Sequence, residues 1–177
     1  MNVRVRDATV DDSEALAAIQ VDNYRIAYAG LLPQEYLDRF SYEEQADDWR
    51  TLLAAPQGDL LCVAEIEAGR IVGYGLGRPG PTEIAPYDSE LVALHVRRAH
   101  QQLGVGRLLI ATLARRLRQA DCASLMLWTL AGNPARTIYK RLGGQLIGQK
   151  ATLLGEGDVQ ASEVAYGWLE IDDLCSE

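Results

Sequence analysis

The spacing of apolar and polar positions changes several times along the chain, and each change marks an element. Val3 and Val5 alternate with Arg4 and Arg6, the two-residue period of a short strand over residues 3–6. Thr9 or Asp11 then stands as a helix cap, and the acidic residues there suit the positive end of a helix. Leu16, Ile19 and Tyr24, with Ala15 and Ala18 between, carry that helix to about Ala27, and Gly30 and Pro33 break the chain. A helical patch bearing Tyr36, Leu37 and Phe40 starts at Pro33. Ser41, with Glu44 at capping-box spacing, opens a further helix to Ala54 whose inner side is Trp49, Leu52 and Leu53.

The central region predicts strands. Residues 59–67 and 70–78 are apolar runs joined by a tight turn at Ala68-Gly69, a hairpin signature. Residues 90–96 read as a strongly apolar central strand. Beyond it Leu109, Leu113 and Leu117 recur every four residues, with Arg115, Arg116 and Arg118 around the other side, which predicts an amphipathic helix. Residues 124–130 form a core strand. Asn133 as N-cap and Pro134 as first helical residue start a short helix that Gly143-Gly144 closes. Strands at 145–154 and 163–171 flank a Gly-rich loop at Gly155-Glu156-Gly157. The order β-α-α-β-β-β-α-β-α-β-β predicts one α/β domain over residues 1–177, a mixed β-sheet of about seven strands flanked by helices.

Charge and composition narrow the partners. The chain has 177 residues, with Lys+Arg 17 against Asp+Glu 25 and a formal net charge of −8. No basic face is evident, so no nucleic acid is expected as partner. An acidic shell suits a cationic acceptor, and also serves plain solubility. Cys62, Cys122 and Cys175 are widely spaced, and His95 and His100 are the two histidines, so no metal constellation is expected. No apolar run reaches the ~20 residues that span a bilayer and no apolar leader opens the chain, so no membrane partner and a cytoplasmic location are expected.

The candidate chemistry lies between the central strand and the leucine-striped helix, at Gln101-Gln102-Leu103-Gly104-Val105-Gly106-Arg107. Glycines there let the backbone turn tightly, and the unpaired amides of a helix start attract phosphate. The segment has no Gly-Lys-Ser/Thr ending, which excludes a Walker loop. The third glycine of a dinucleotide fingerprint would fall on Leu109.

Leu94-His95-Val96 followed by Gln101-x-x-Gly104-x-Gly106 resembles the acetyl-CoA motif of the GCN5-related N-acetyltransferase (GNAT) superfamily. Asn133 and the short helix ending in Tyr139-x-x-x-Gly143 resemble that family's second block. The element order also matches, so the resemblance covers nearly the whole chain. It implies that the amides from Gln102 to Arg107 hold the CoA pyrophosphate. It implies a bulged fourth strand that splays from the fifth, with pantetheine pairing on the backbone of Leu94 and Val96. An amide at Leu94 or His95 would polarise the thioester, and Asn133 and Arg136 would lie near the cofactor. Tyr139 is the candidate general acid for the leaving thiolate. Glu90 is the candidate base for the amine, with Glu83 and Asp88 as alternatives. The first helices and last hairpin would line the acceptor cleft, with Tyr24, Tyr28, Leu32 and Trp49 from one and Tyr166 and Trp168 from the other, most of them core residues. The expected activity is acetyl-CoA-dependent acetylation of a primary amine on a small molecule or peptide, by direct attack in a ternary complex. The rival expectation is an acyl-CoA-binding regulatory module without catalysis. A homodimer is compatible with the open edge of such a sheet.

Overall fold

The computed structural model describes residues 2–176. Strand β1 (Arg4–Asp7) leads into helix α1 (Ser13–Ala27), a short helix α2 (Gln34–Asp38) and helix α3 (Tyr42–Ala54). Strands β2 (Leu60–Ile66), β3 (Arg70–Pro79) and β4 (Ser89–Val96) form an antiparallel run. Helix α4 (Val105–Gln119), strand β5 (Leu125–Leu130), helix α5 (Arg136–Arg141) and strands β6 (Gln145–Leu154) and β7 (Val159–Trp168) complete the chain. One seven-stranded sheet results, in the order β1-β2-β3-β4-β5-β7-β6.

The two-residue alternation of the strands sorts their side chains onto two cores. Cys62 and Ala64 face Leu109, Leu113 and Leu117 of α4, joined by Val72, the extra residue of a bulge between the pairs Ala64–Gly73 and Glu65–Ile71. Leu61, Val63 and Ile71 face Leu16 and Ile19 of α1 and Trp49 of α3. Gly73, Gly75 and Gly77 of β3 lie under the leucine stripe. A Cβ on them would stand 3.2 Å from Leu109, 2.7 Å from Leu113 and 3.3 Å from Leu117 respectively, so the missing side chains let α4 lie directly on the sheet.

Boundaries differ from the sequence reading where polar residues alternate on an open face. Strand β7 begins at Val159, because Gln160 and Ser162 point outward from an edge hairpin and mask its start. It ends at Trp168, and Ile171 instead begins a short 3₁₀ turn whose amide donates to the Ala123 carbonyl at 2.8 Å. Helix α5 starts at Arg136. Its N-cap is Ala135, which no side chain caps; Asn133 and Pro134, expected as N-cap and first helical residue, lie in the preceding turn, where the Asn133 side chain accepts from the Ala135 amide at 2.9 Å.

Candidate active site

Strands β4 and β5 run parallel, yet they meet in register at one pair among the described residues, Glu90 opposite Met126. Side chains tie this apex. Asp88 accepts from the amides of Ala123 and Ser124 at 2.9 Å each and from the Ser124 hydroxyl at 2.7 Å, and the Ser89 hydroxyl donates to the Ser124 carbonyl at 2.6 Å. Two residues on, β4 bulges. Leu76 of β3 faces Ala93 and Gly77 faces Leu91, which leaves Val92 as the extra residue. Past the bulge no further pair joins β4 and β5 among the described residues, and the gap between them is the candidate groove.

At the mouth of the groove lies the glycine loop. Gln102 (φ 61°) and Gly104 (φ 86°) both take left-handed conformations, which turn the chain into α4. The first amide of α4 satisfied within the helix is that of Leu108, donating to the Gly104 carbonyl at 3.0 Å. The amides of Val105, Gly106 and Arg107 have no preceding turn to bond. A Cβ on Gly104 would meet nothing within 4 Å, and one on Gly106 only Val96 at 3.8 Å. The glycines therefore open onto free space, as a cradle for an anion requires. Leu103 is 60% exposed and stands outside the turn. The Gln101 side chain folds back, donating to the Val96 carbonyl at 3.0 Å.

Tyr139 stands on α5, buried, its ring 6.0 Å from that of Tyr166. Burial pushes its phenol up to about 12. From the opposite face of the sheet comes Tyr28, just after α1. Burial, with Tyr139 and Glu163 as neighbours, pushes it up to about 12 as well. Tyr28, at the end of α1, and Tyr139, on α5, are thus neighbours. Glu90, at the apex, is half-buried. Burial, assisted by Glu83 and Glu163 and opposed by Arg78 and Lys150, raises its carboxyl above the ordinary value. His95 packs against Tyr24 at 5.7 Å and Tyr74 at 5.2 Å, and burial pushes its imidazole down to about 4. It is therefore neutral near pH 7.

Residues 13–143 match the model of the acetyltransferase (GNAT) family. The chain belongs to the GNAT family. It is similar to the uncharacterized N-acetyltransferase YuaI of Bacillus subtilis (strain 168), with 29% identity over 172 residues, 97% of this chain and 96% of that protein. In fold it resembles the PaiA N-acetyltransferase of Thermoplasma acidophilum in complex with coenzyme A. The TM-score is 0.68 at 17% identity, covering 92% of this chain and 98% of that one. It likewise resembles yncA of Salmonella typhimurium with its cofactor acetyl-CoA, at TM-score 0.68 and 20% identity, covering 96% of this chain and 95% of that one. By family the chain is an N-acetyltransferase.

Within this GNAT domain several candidate residues have structural tasks. Asn133 donates to the Thr129 hydroxyl at 2.9 Å, and its side-chain oxygen accepts from the Ala135 amide in the turn before α5. Arg136 donates to the Tyr166 hydroxyl at 3.1 Å and to the Ala131 carbonyl. Both side chains bond the scaffold around the end of β5. Asp88 spends its oxygens on the apex, and those amide and hydroxyl donors hold its carboxyl below the ordinary value against its burial. Glu83 is engaged by Lys150 at 2.5 Å.

The expected cleft divides. Trp49 is buried against Tyr74 and donates to Gln20 at 2.7 Å; Trp168 is buried and donates to the Leu142 carbonyl at 2.7 Å. Tyr166 lies in the core beneath Tyr139, and Leu32 is buried under α2 with Tyr36 and Leu37. Tyr24 and Tyr28 remain beside the groove, 5.0 Å apart edge to face. Two features escaped the sequence reading. One is Lys150, which stands 4.1 Å over the Trp128 ring and 3.9 Å from Glu163, residues that the β5-β7-β6 order brings together. The second is Asn23, whose signal was available: a polar residue one turn past Ile19, on the apolar stripe of α1.

Proposed function

We propose that this enzyme transfers the acetyl group of acetyl-CoA to a primary amine of a small molecule or peptide, by direct attack in a ternary complex. The observation that carries the reading is the single register pair between β4 and β5 with the glycine-turned start of α4 at the mouth of the gap they leave. An extended pantetheine arm fits a strand edge whose neighbour has parted from it. A pyrophosphate fits the free amides of Val105, Gly106 and Arg107 and the open space over Gly104 and Gly106. Bound there, acetyl-CoA supplies the activated acyl group.

The chain's own residues then do three things. The backbone amide of Leu94, just past the bulge, polarises the thioester oxygen as charge grows on it; that of His95, two residues before Arg97, points with the Arg97 amide toward β3. Glu90 accepts the proton of the amine, and its raised value places it nearer the working pH than an ordinary carboxylate. Tyr139, protonated across the neutral range, donates a hydrogen bond to the leaving sulfur. Holding both substrates in line can itself contribute ~7–11 kcal/mol. The net charge of −8, with Glu83, Glu90 and Glu163 on the acceptor side, favours a cationic acceptor. We read the protein as cytoplasmic, in keeping with its three free cysteines.

The deciding experiment is a thermal shift with acetyl-CoA, CoA, NAD and ATP in parallel, followed by thiol release with an amine panel. A ligand at 100 times its Kd should stabilise by ~2.7 kcal/mol. Stabilisation by the CoA compounds alone, and thiol release that depends on an amine, are expected. No response to either CoA compound would overturn the reading.

A further inference from the structure

Three consecutive residues of α1 meet the end of β4 in reverse order. Asp22 lies 3.8 Å from the Arg97 guanidinium, Asn23 Nδ2 donates to the Val96 carbonyl at 3.1 Å, and the Tyr24 ring stacks on His95 at 5.7 Å. Asp22 is itself held by the Tyr42 hydroxyl at 2.8 Å. Asn23 is 8% exposed, on the stripe that buries Leu16 and Ile19 completely.

The Val96 carbonyl decides what this grip does. The Arg97 amide donates to Val72 of β3 at 2.8 Å. Peptide groups alternate direction along a strand, so the Val96 carbonyl points away from β3, toward the groove. A carbonyl has two lone pairs, and both are taken here: one by Asn23, the other by Gln101 Nε2 at 3.0 Å. The last carbonyl of β4 can then accept nothing from β5 and nothing from a ligand. What remains for an extended ligand at this residue is the Val96 N–H alone.

We propose that Asn23 is a positioning residue for the CoA arm: together with Gln101 it caps the Val96 carbonyl, holding the end of β4 off β5 and keeping the groove open. The inference rests on the placing of pantetheine under the proposed function. It also links the two halves of the site. Asn23 sits beside Tyr24 on the acceptor side, and Gln101 opens the loop assigned to pyrophosphate, so both halves bear on one carbonyl.

The test is CoA affinity by calorimetry for the wild type, Asn23→Ala, Gln101→Ala and the double variant, alongside thermal stability and steady-state kinetics with acetyl-CoA. Each single change leaves the carbonyl one donor and should weaken CoA about three- to tenfold. The double change bares it and should weaken CoA by more than the product of the two. KM for acetyl-CoA should rise while kcat changes less. A Kd that stays at the wild-type value while only the melting temperature falls would overturn the proposal, as would two effects that simply multiply. Should Asn23→Ala fail to fold, Gln101→Ala, at an exposed loop position, reads the same cap, and an unchanged Kd there overturns it. A wild-type chain that binds no CoA overturns the proposed function, and this inference with it.

Discussion

A Cβ placed on Gly75 would stand 2.7 Å from Leu113 Cδ1, so the height of α4 above the sheet is set by a side chain that is absent. That height matters at the site, because the start of α4 is the glycine cradle. Gly75→Ala should destabilise the fold by ~1–3 kcal/mol through overpacking. Leu113→Ala in the same chain should recover part of that loss relative to the sum of the single changes. Urea denaturation of the four proteins tests this, and strictly additive losses would show that the contact does not set the spacing.

Gly104 combines a φ of 86° with open space where a side chain would go. Gly104→Val should leave a folded protein, weakened by ~1–2 kcal/mol from the left-handed backbone. The isopropyl group would fill the anion cradle and should abolish the thermal shift with CoA. Retention of that shift would move the pyrophosphate elsewhere.

Tyr139→Phe keeps the buried ring and removes only the hydroxyl. Turnover should fall by ~10²-fold, the lower range for loss of a general acid or donor. CoA affinity should stay within about twofold, since packing is retained. Equal turnover in single-turnover thiol release would remove Tyr139 from the reaction.

Glu90 acts as base only when ionised, so kcat should fall as pH drops through its value. Burial sets that value above the ~4.3 of a free glutamate. Glu90→Gln should lower the plateau and erase this acid limb. A limb that persists in the variant would assign it to another group.

Asp12 accepts from Arg6 at 2.7 and 2.9 Å and from the Thr9 amide at 2.8 Å. Arg6, with that amide, outweighs the effect of burial and holds its carboxyl below the ordinary value. A carboxyl lowered by folding contributes stability that is present above the unfolded value of ~3.9 and lost as pH falls through the folded one. Asp12→Asn should cost ~2 kcal/mol at pH 7 and flatten the loss of stability as pH falls below the unfolded value of ~3.9. Denaturation midpoints from pH 7 downward measure both.

Much of the fold was legible because its signals are local. The stripe of Leu109, Leu113 and Leu117 and the cap at Ser41, whose side chain accepts from the Glu44 amide at 3.1 Å, each depend on residues a turn apart. The last strand was read four residues late, because Gln160 and Ser162 face solvent on an edge hairpin and carry no burial signal. Asn133 and Arg136 were legible as motif positions, whereas their bonds to Thr129, Ala131 and Tyr166 depend on strands that meet only in the folded sheet.

The order of the strands and long helices, the glycine turn and the chemical types at the site follow from neighbouring residues in the sequence, since periodicity, caps and turns are local; the expected order counted two helices before β2 where the structure has three, the short α2 (Gln34–Asp38) among them. The folded sheet supplied the rest: the point where β4 and β5 meet, Glu90 opposite Met126, the neighbouring of Tyr28, at the end of α1, and Tyr139, on α5, and the reach of Asn23 to Val96, 73 positions away. The reason is physical: a backbone carbonyl or a buried phenol shows no preference in the chain until packing fixes what lies beside it.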